Sequence, residues 1–230
     1  MNSLAKPRAI LFDWDNTLVD SWPAIHAAMA ETQRAMGQAA WTLAETRANV
    51  RRSLRDAFPD MFGDRWTDAR DIFYKTFLAV HLDLLEARAG AAEMLARLND
   101  AGLYLGVVSN KTGDYLRREA SHLGWSRYFG RLVGATDAAA DKPSVAPVDL
   151  ALSGSGVARG TDVWFVGDTA IDIECARNAG LAAILMGDLP PDAPEFARQA
   201  PDMVLKSCPD LVILVLGQHD PYVYKRDTGG

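Results

Sequence analysis

Short apolar runs punctuate the chain at 9–12, 104–108, 131–133, 163–166, 182–185 and 203–205. Their residues are bulky or β-branched with little polar alternation, which suits strands covered on both faces. A small or acidic residue and then a stretch with helical spacing follow these runs. Regular strand and helix alternation predicts an α/β fold around a parallel sheet. Helices are expected at 91–99, with Gly102 suited to its end, and at about 112–123.

Between the first and second runs the alternation stops. Ser21 before Trp22 and Pro23 suggests an N-cap with proline in the first turn, and Thr42 with Glu45 reads as a capping box. Trp66, Ala69, Phe73, Phe77, Val80 and Leu84 recur at three- and four-residue steps, an amphipathic stripe best read as core packing. Residues 21–87 are therefore expected to form an all-helical insertion, with 1–20 and 88–230 making the sheet-bearing core. Gln218 to Gly230 carries proline and a glycine pair and is expected to fray or pack loosely.

Composition narrows the function classes. The chain has 230 residues, 24 basic and 30 acidic, for a formal net charge of -6. That balance argues against a general binder of nucleic acid or of anionic membranes, whose polyphosphate surfaces would repel it. Two cysteines, Cys175 and Cys208, are too few for a disulfide framework, and a reducing cytoplasm is the simplest compartment. No run approaches the roughly 20 apolar residues of a bilayer span. The polar start lacks the apolar core of a signal peptide, so a soluble, unprocessed chain is expected.

The candidate chemistry lies where the runs end. Asp13 and Asp15 follow the first run directly, and residues two apart in extended chain share a side. Two such carboxylates need a cation between them or a proton on one of them. A second acidic pair, Asp168 and Asp172, follows the run at 163–166. Four carboxylates converging on one sheet edge would be costly without a cation, and hard oxygen ligands select magnesium or calcium. Ser109 and Asn110 end the second core run, where a hydroxyl and backbone N–H groups suit an anion. Lys142, between Asp141 and Pro143, offers an ammonium as a point charge. Taken alone, Ser109 is an ordinary cap and Lys142 an ordinary surface lysine.

In order, Asp13-Trp14-Asp15-Asn16-Thr17, Ser109-Asn110, Lys142-Pro143 and Gly167-Asp168 with Asp172 resemble the four motifs of the haloacid dehalogenase superfamily, over about residues 8 to 188. The resemblance is greatest to its phosphoglycolate phosphatase-like branch. It implies a three-layer Rossmann-like parallel sheet core with an inserted helical cap domain, and a phosphatase of small phosphorylated metabolites. By resemblance, Asp13 attacks phosphorus to form an aspartyl-phosphate, and Asp15 protonates the leaving oxygen and then deprotonates water. Magnesium is held by Asp13, Asp168 and the Asp15 backbone carbonyl, with Asp172 positioning metal water or Lys142. Thr17, Ser109, Asn110 and Lys142 form the phosphate site.

Two positions depart from the family pattern. Asn16 replaces the usual glycine of the first motif, and the third motif lacks its middle proline. Asp15 separates this reading from the dehalogenases, because a halide leaves without a proton. A sugar phosphomutase shares the nucleophile, acid and cap, and a non-catalytic phosphoryl-ligand binding module on the same scaffold is the third reading. Within the insertion, Arg51, Arg52 and Arg55 cluster where one could fork onto a substrate carboxylate, or they form a solvated basic face with Arg47. The four histidines fall at no metal-ligand spacing, Cys175 reads as a buried small hydrophobe, and oligomeric state is left open.

Overall fold

The computed structural model describes residues 4–50, 54–187, 190, 191 and 193–217, and of 54–56 only the helical backbone. The stretch 218–230, expected to fray, lies outside the described residues. The chain begins with β1 (Ala9–Phe12) and a short β2 (Val19–Asp20). Helices α1 (Trp22–Ala35), α2 (Leu43–Asn49), α3 (Leu54–Phe62) and α4 (Trp66–Val80) follow, then β3 (Glu86–Ala87). From there the elements alternate: α5 (Ala91–Asp100), β4 (Tyr104–Thr112), α6 (Gly113–His122), β5 (Arg131–Ala135), α7 (Ala146–Leu152), β6 (Val163–Gly167), α8 (Ala170–Ala179), β7 (Ala182–Met186), β8 (Met203–Leu205) and α9 (Cys208–Leu216). All the apolar runs are strands.

The main sheet has six strands in the order β5-β4-β1-β6-β7-β8, all parallel, and β2 pairs with β3 in a separate ribbon. Strand β1 is central, with Ile10 opposite Leu105 on one side and Trp164 on the other. All four of its residues are buried, which is why the run shows no alternation. Parallel pairing places the carboxyl ends of β1, β4 and β6 at one edge, where open α/β sheets bind ligands.

Two compact units divide the chain, Met1–Val19 with Ala87–Gly230, and Asp20–Glu86. In the first, helices flank the sheet. Leu11 and Phe165 pack with Val148 and Ala151 of α7 and Ile173, Ala176 and Ala179 of α8. Successive strand residues point to opposite faces, so Ile10 and Phe12 face the other layer, where α5 packs against β4 and α9. Helix α8 stops at Gly180, whose φ of 71° lets its N–H turn back to Ala176 and Arg177 carbonyls.

The second unit is helical. Helices α1 and α3 pack on α4, burying Ala69, Phe73 and Phe77, and Phe58 meets Phe62 and Phe73 edge-on with ring centroids 5.0 and 5.8 Å apart. The box at α2 forms: Thr42 accepts from the Glu45 N–H at 3.2 Å and the Glu45 carboxylate accepts from the Thr42 N–H at 2.7 Å. Two details differ from expectation. Ser21 occupies the N-cap position of α1 in a helical backbone conformation without a side-chain cap; the Asp20 carboxylate accepts the Trp22 N–H instead, at 2.9 Å. Helix α4 ends at Val80, so Leu84 lies in the turn beyond it rather than on the stripe.

Candidate active site

Asp13 leaves β1 with its N–H still bonded to the Val166 carbonyl of β6 at 2.8 Å, which ties it to the sheet edge. The chain then folds back tightly. Leu18 and Val19 N–H groups donate to the Trp14 carbonyl at 3.0 and 3.2 Å, and Asn16 N–H to the Val19 carbonyl at 2.7 Å. That turn needs a left-handed residue, and Asn16 takes it at φ 60°, a conformation asparagine tolerates better than most side chains. Buried Thr17 is carried back so that its hydroxyl lies 3.4 Å from Asp13 Oδ2 and 3.3 Å from Asp168 Oδ1.

Across the edge, β6 ends at Gly167, followed by Asp168 and the α8 cap residue Thr169. The Asp172 carboxylate has two tasks. Its Oδ2 accepts from the Thr169 N–H at 3.0 Å and hydroxyl at 2.6 Å, closing a capping box, while Oδ1 accepts from Lys142 Nζ at 2.7 Å. Lys142 Nζ also donates to Asp13 Oδ1 at 2.6 Å. Asp13, Asp168 and Asp172 each offer a carboxylate oxygen, all within 4.8 Å of one another.

Charge crowding marks the cluster. Burial raises the Asp13 carboxyl to about 7, opposed by the Lys142 ammonium and reinforced by Asp172 and Asp15. Asp168 is raised as well, by burial first and then by Asp13 and Asp172. Burial works against the Lys142 charge, but Asp13 and Asp172 outweigh it and hold the amine protonated. One ammonium thus faces three carboxylates. The donor set fits a divalent cation: two of its three acids buried and the third partly so, all oxygen, close enough to share one ion, and under a charge excess that such an ion would relieve.

The remaining expected residues are distributed unevenly. Ser109 is buried in the last part of β4, beside β1, and its hydroxyl accepts from the Lys111 N–H at 3.1 Å. The Asn110 amide braces Lys142: its Oδ1 accepts from the Lys142 N–H at 2.9 Å and its Nδ2 donates to the Lys142 carbonyl at 3.2 Å. The Asp15 carboxylate is not among the three oxygens of the cation cluster; its Oδ1 pairs with Lys111 Nζ at 2.7 Å. Arg51 and Arg52, and the side chain of Arg55, lie outside the described residues. Cys175 is buried with its thiol pushed up to about 12 by desolvation, which removes it as a nucleophile.

Sequence reasoning missed Lys111 and Glu119. Lys111 Nζ donates to both Glu119 oxygens, at 2.8 and 2.6 Å, and Glu119 also accepts from the Trp14 indole N–H at 2.7 Å. A signal existed: Glu119 sits between Leu116 and Ala120 on the buried face of α6, an acid where the helical pattern calls for an apolar residue.

Comparison with known proteins is consistent across sequence and fold. The family model of haloacid dehalogenase-like hydrolases matches residues 10–186. The phosphoglycolate phosphatase of Xanthomonas campestris is 33% identical over 182 residues, covering 77% of this chain and 82% of that protein. That of Pectobacterium atrosepticum is 30% identical over 232 residues, covering 94% and 95%. Among solved structures, a haloacid dehalogenase-like family hydrolase from Streptococcus pneumoniae superposes with a TM-score of 0.79 at 21% identity, covering 90% of this chain and 97% of that one. A hydrolase of the same superfamily from Ehrlichia chaffeensis is 26% identical with a TM-score of 0.64, covering 93% and 98%.

Proposed function

This chain belongs to the haloacid dehalogenase-like hydrolase family, and from that premise we infer that it is a magnesium-dependent phosphatase of small phosphomonoesters. The observation that carries the reading is the meeting of Asp13, Asp168, Asp172 and Lys142 at the carboxyl edge of the sheet. Asp13 is the nucleophile. Its carboxylate forms a P–O bond as the ester P–O bond breaks, which divides one difficult displacement into two easier ones. Asp15 gives its proton to the leaving oxygen and then takes one from the water that releases phosphate.

Asp13 and Asp168, with the Asp15 carbonyl, would hold magnesium, and Asp172 orients Lys142 beside it. When bound there, the ion supplies positive charge where a phosphoryl group and a carboxylate approach each other. Lys142, Thr17 and Ser109 grip the non-bridging oxygens, and Asn110 fixes the backbone from which Lys142 reaches. Residues 21–87 act as the cap that selects the substrate. Phosphoglycolate heads the candidates because the relatives above are phosphoglycolate phosphatases.

A metabolite panel with and without magnesium tests this reading. Magnesium-dependent release of inorganic phosphate, with phosphoglycolate among the substrates cleaved, is expected. No release from any ester would overturn it, and isomerised hexose phosphate without net phosphate would make the chain a mutase.

A further inference from the structure

Trp14, between the proposed nucleophile and the proposed acid, is fully buried and edge-on to Trp125 and Phe129, with centroids 5.8 and 6.4 Å away. Its indole N–H reaches Glu119, which is 1% exposed. Glu119 takes two donations from Lys111, and Lys111 in turn holds Asp15 Oδ1 at 2.7 Å. The three named acceptors match the three N–H donors of an ammonium. Asp15 and Trp14 lie on the loop after β1, Lys111 is the next-to-last residue of β4 and Glu119 is on α6, so three elements converge on one carboxylate.

Burying Glu119 and Lys111 is an expensive way to fill space. A buried ion pair is often no more stable than apolar residues of the same volume, so stability alone does not account for it. What the chain does accomplish is directional. With Lys111 held by Glu119, and Glu119 held by an indole that cannot turn among its aromatic neighbours, the Asp15 carboxylate is pinned relative to Asp13 two residues before it. Productive proton transfer needs such placement within hydrogen-bond reach of the reacting oxygen.

We propose that Trp14, Glu119 and Lys111 form a buried relay of positioning residues that holds Asp15 for proton transfer to the leaving group. The inference rests on the phosphatase reading. In the first step Asp13 forms its bond to phosphorus, the ester P–O electron pair departs on the leaving oxygen, and the proton on Asp15 passes to that oxygen. An alkoxide cannot leave without that proton. A nitrophenolate can, so its departure is indifferent to where Asp15 points.

The test compares single-turnover cleavage of phosphoglycolate with the nitrophenolate burst from p-nitrophenyl phosphate, both at saturating magnesium. Glu119→Gln is expected to slow phosphoglycolate cleavage by about ten- to a hundredfold, part of the range that general acid catalysis spans. The burst should fall far less, with KM for both esters little changed. Trp14→Phe keeps both ion pairs and the aromatic packing, and should show the same split at smaller size; it decides the matter if Glu119→Gln does not fold. Equal slowing of both esters, or slowing of neither, overturns the relay while leaving the phosphatase reading intact. A wild-type chain that cleaves the aryl ester but no alkyl ester of the panel also overturns the relay, since no alkoxide is then being protonated. A wild-type chain that releases phosphate from no ester of the panel overturns the phosphatase reading and the relay with it.

Discussion

Lys142 is a buried cation shared between two carboxylates, with side-chain exposure of 3% against 8% for Asp13 and 1% for Asp172. Removing it leaves those acids facing Asp168 without the ammonium they share. Lys142→Met should lower metal-free stability by about 3–5 kcal/mol, the usual result of breaking a buried pair, and magnesium should restore much of it; urea unfolding with and without the ion measures both. Asp13→Asn should reduce turnover at least about a thousandfold, as loss of a nucleophile does, with little change in melting temperature. The pH behaviour follows from the Asp13 carboxyl being raised to about 7. The folded state holds that proton more tightly than the unfolded one, so its stabilisation is complete below about pH 4 and is lost as pH rises through 7. Magnesium prefers the ionised form, and its affinity should fall about tenfold per pH unit below 7, measurable by titration calorimetry at pH 5.5, 6.5 and 8. The acids of this cluster were legible because each follows an apolar run in the order of a known motif set. For Lys111 and Glu119 the acid on the buried face of α6 was the one local signal; its partner is an indole 105 positions away, and no local spacing reveals such a pairing.

At the scale of elements, the junction between β6 and α8 carries a tight constraint. A Cβ on Gly167 would overlap the Asp172 side chain. Asp172 cannot step aside without giving up the cap on α8 or its hold on Lys142. Gly167→Ala should therefore weaken magnesium binding by about ten- to a hundredfold, the range seen when groups behind metal ligands are disturbed, with the circular dichroism spectrum unchanged. Strands were legible in the sequence because burial on both faces writes itself as an unbroken apolar run, as at Ala9–Phe12. Helix ends were less so. At α1 an aspartate two residues before the helix took the role expected of Ser21, because a cap depends on the backbone angle of entry, which residue type alone does not determine. At α4 the three- and four-residue rhythm ran on to Leu84 although the helix stopped at Val80.

The whole molecule is two compact units on one chain. The helical unit has its own aromatic core, so Phe58→Ala should destabilise it by about 3–5 kcal/mol. Scanning calorimetry should then show a separate lower-temperature transition, while magnesium binding by the sheet-bearing unit persists; loss of both together would mean the units unfold as one. The central place of β1 bears on how the chain is made. Its first residue pairs with Tyr104 on one side and Val163 on the other. At synthesis rates of about 5–20 residues per second, an apolar strand emerging first waits roughly 8–30 seconds for its second neighbour. Throughout that interval it is an unpaired edge with Asp13 at its end. A nascent chain stalled before β6 should accordingly be held by chaperones and cleaved readily by protease near residue 12, and the same chain stalled after α8 should resist both.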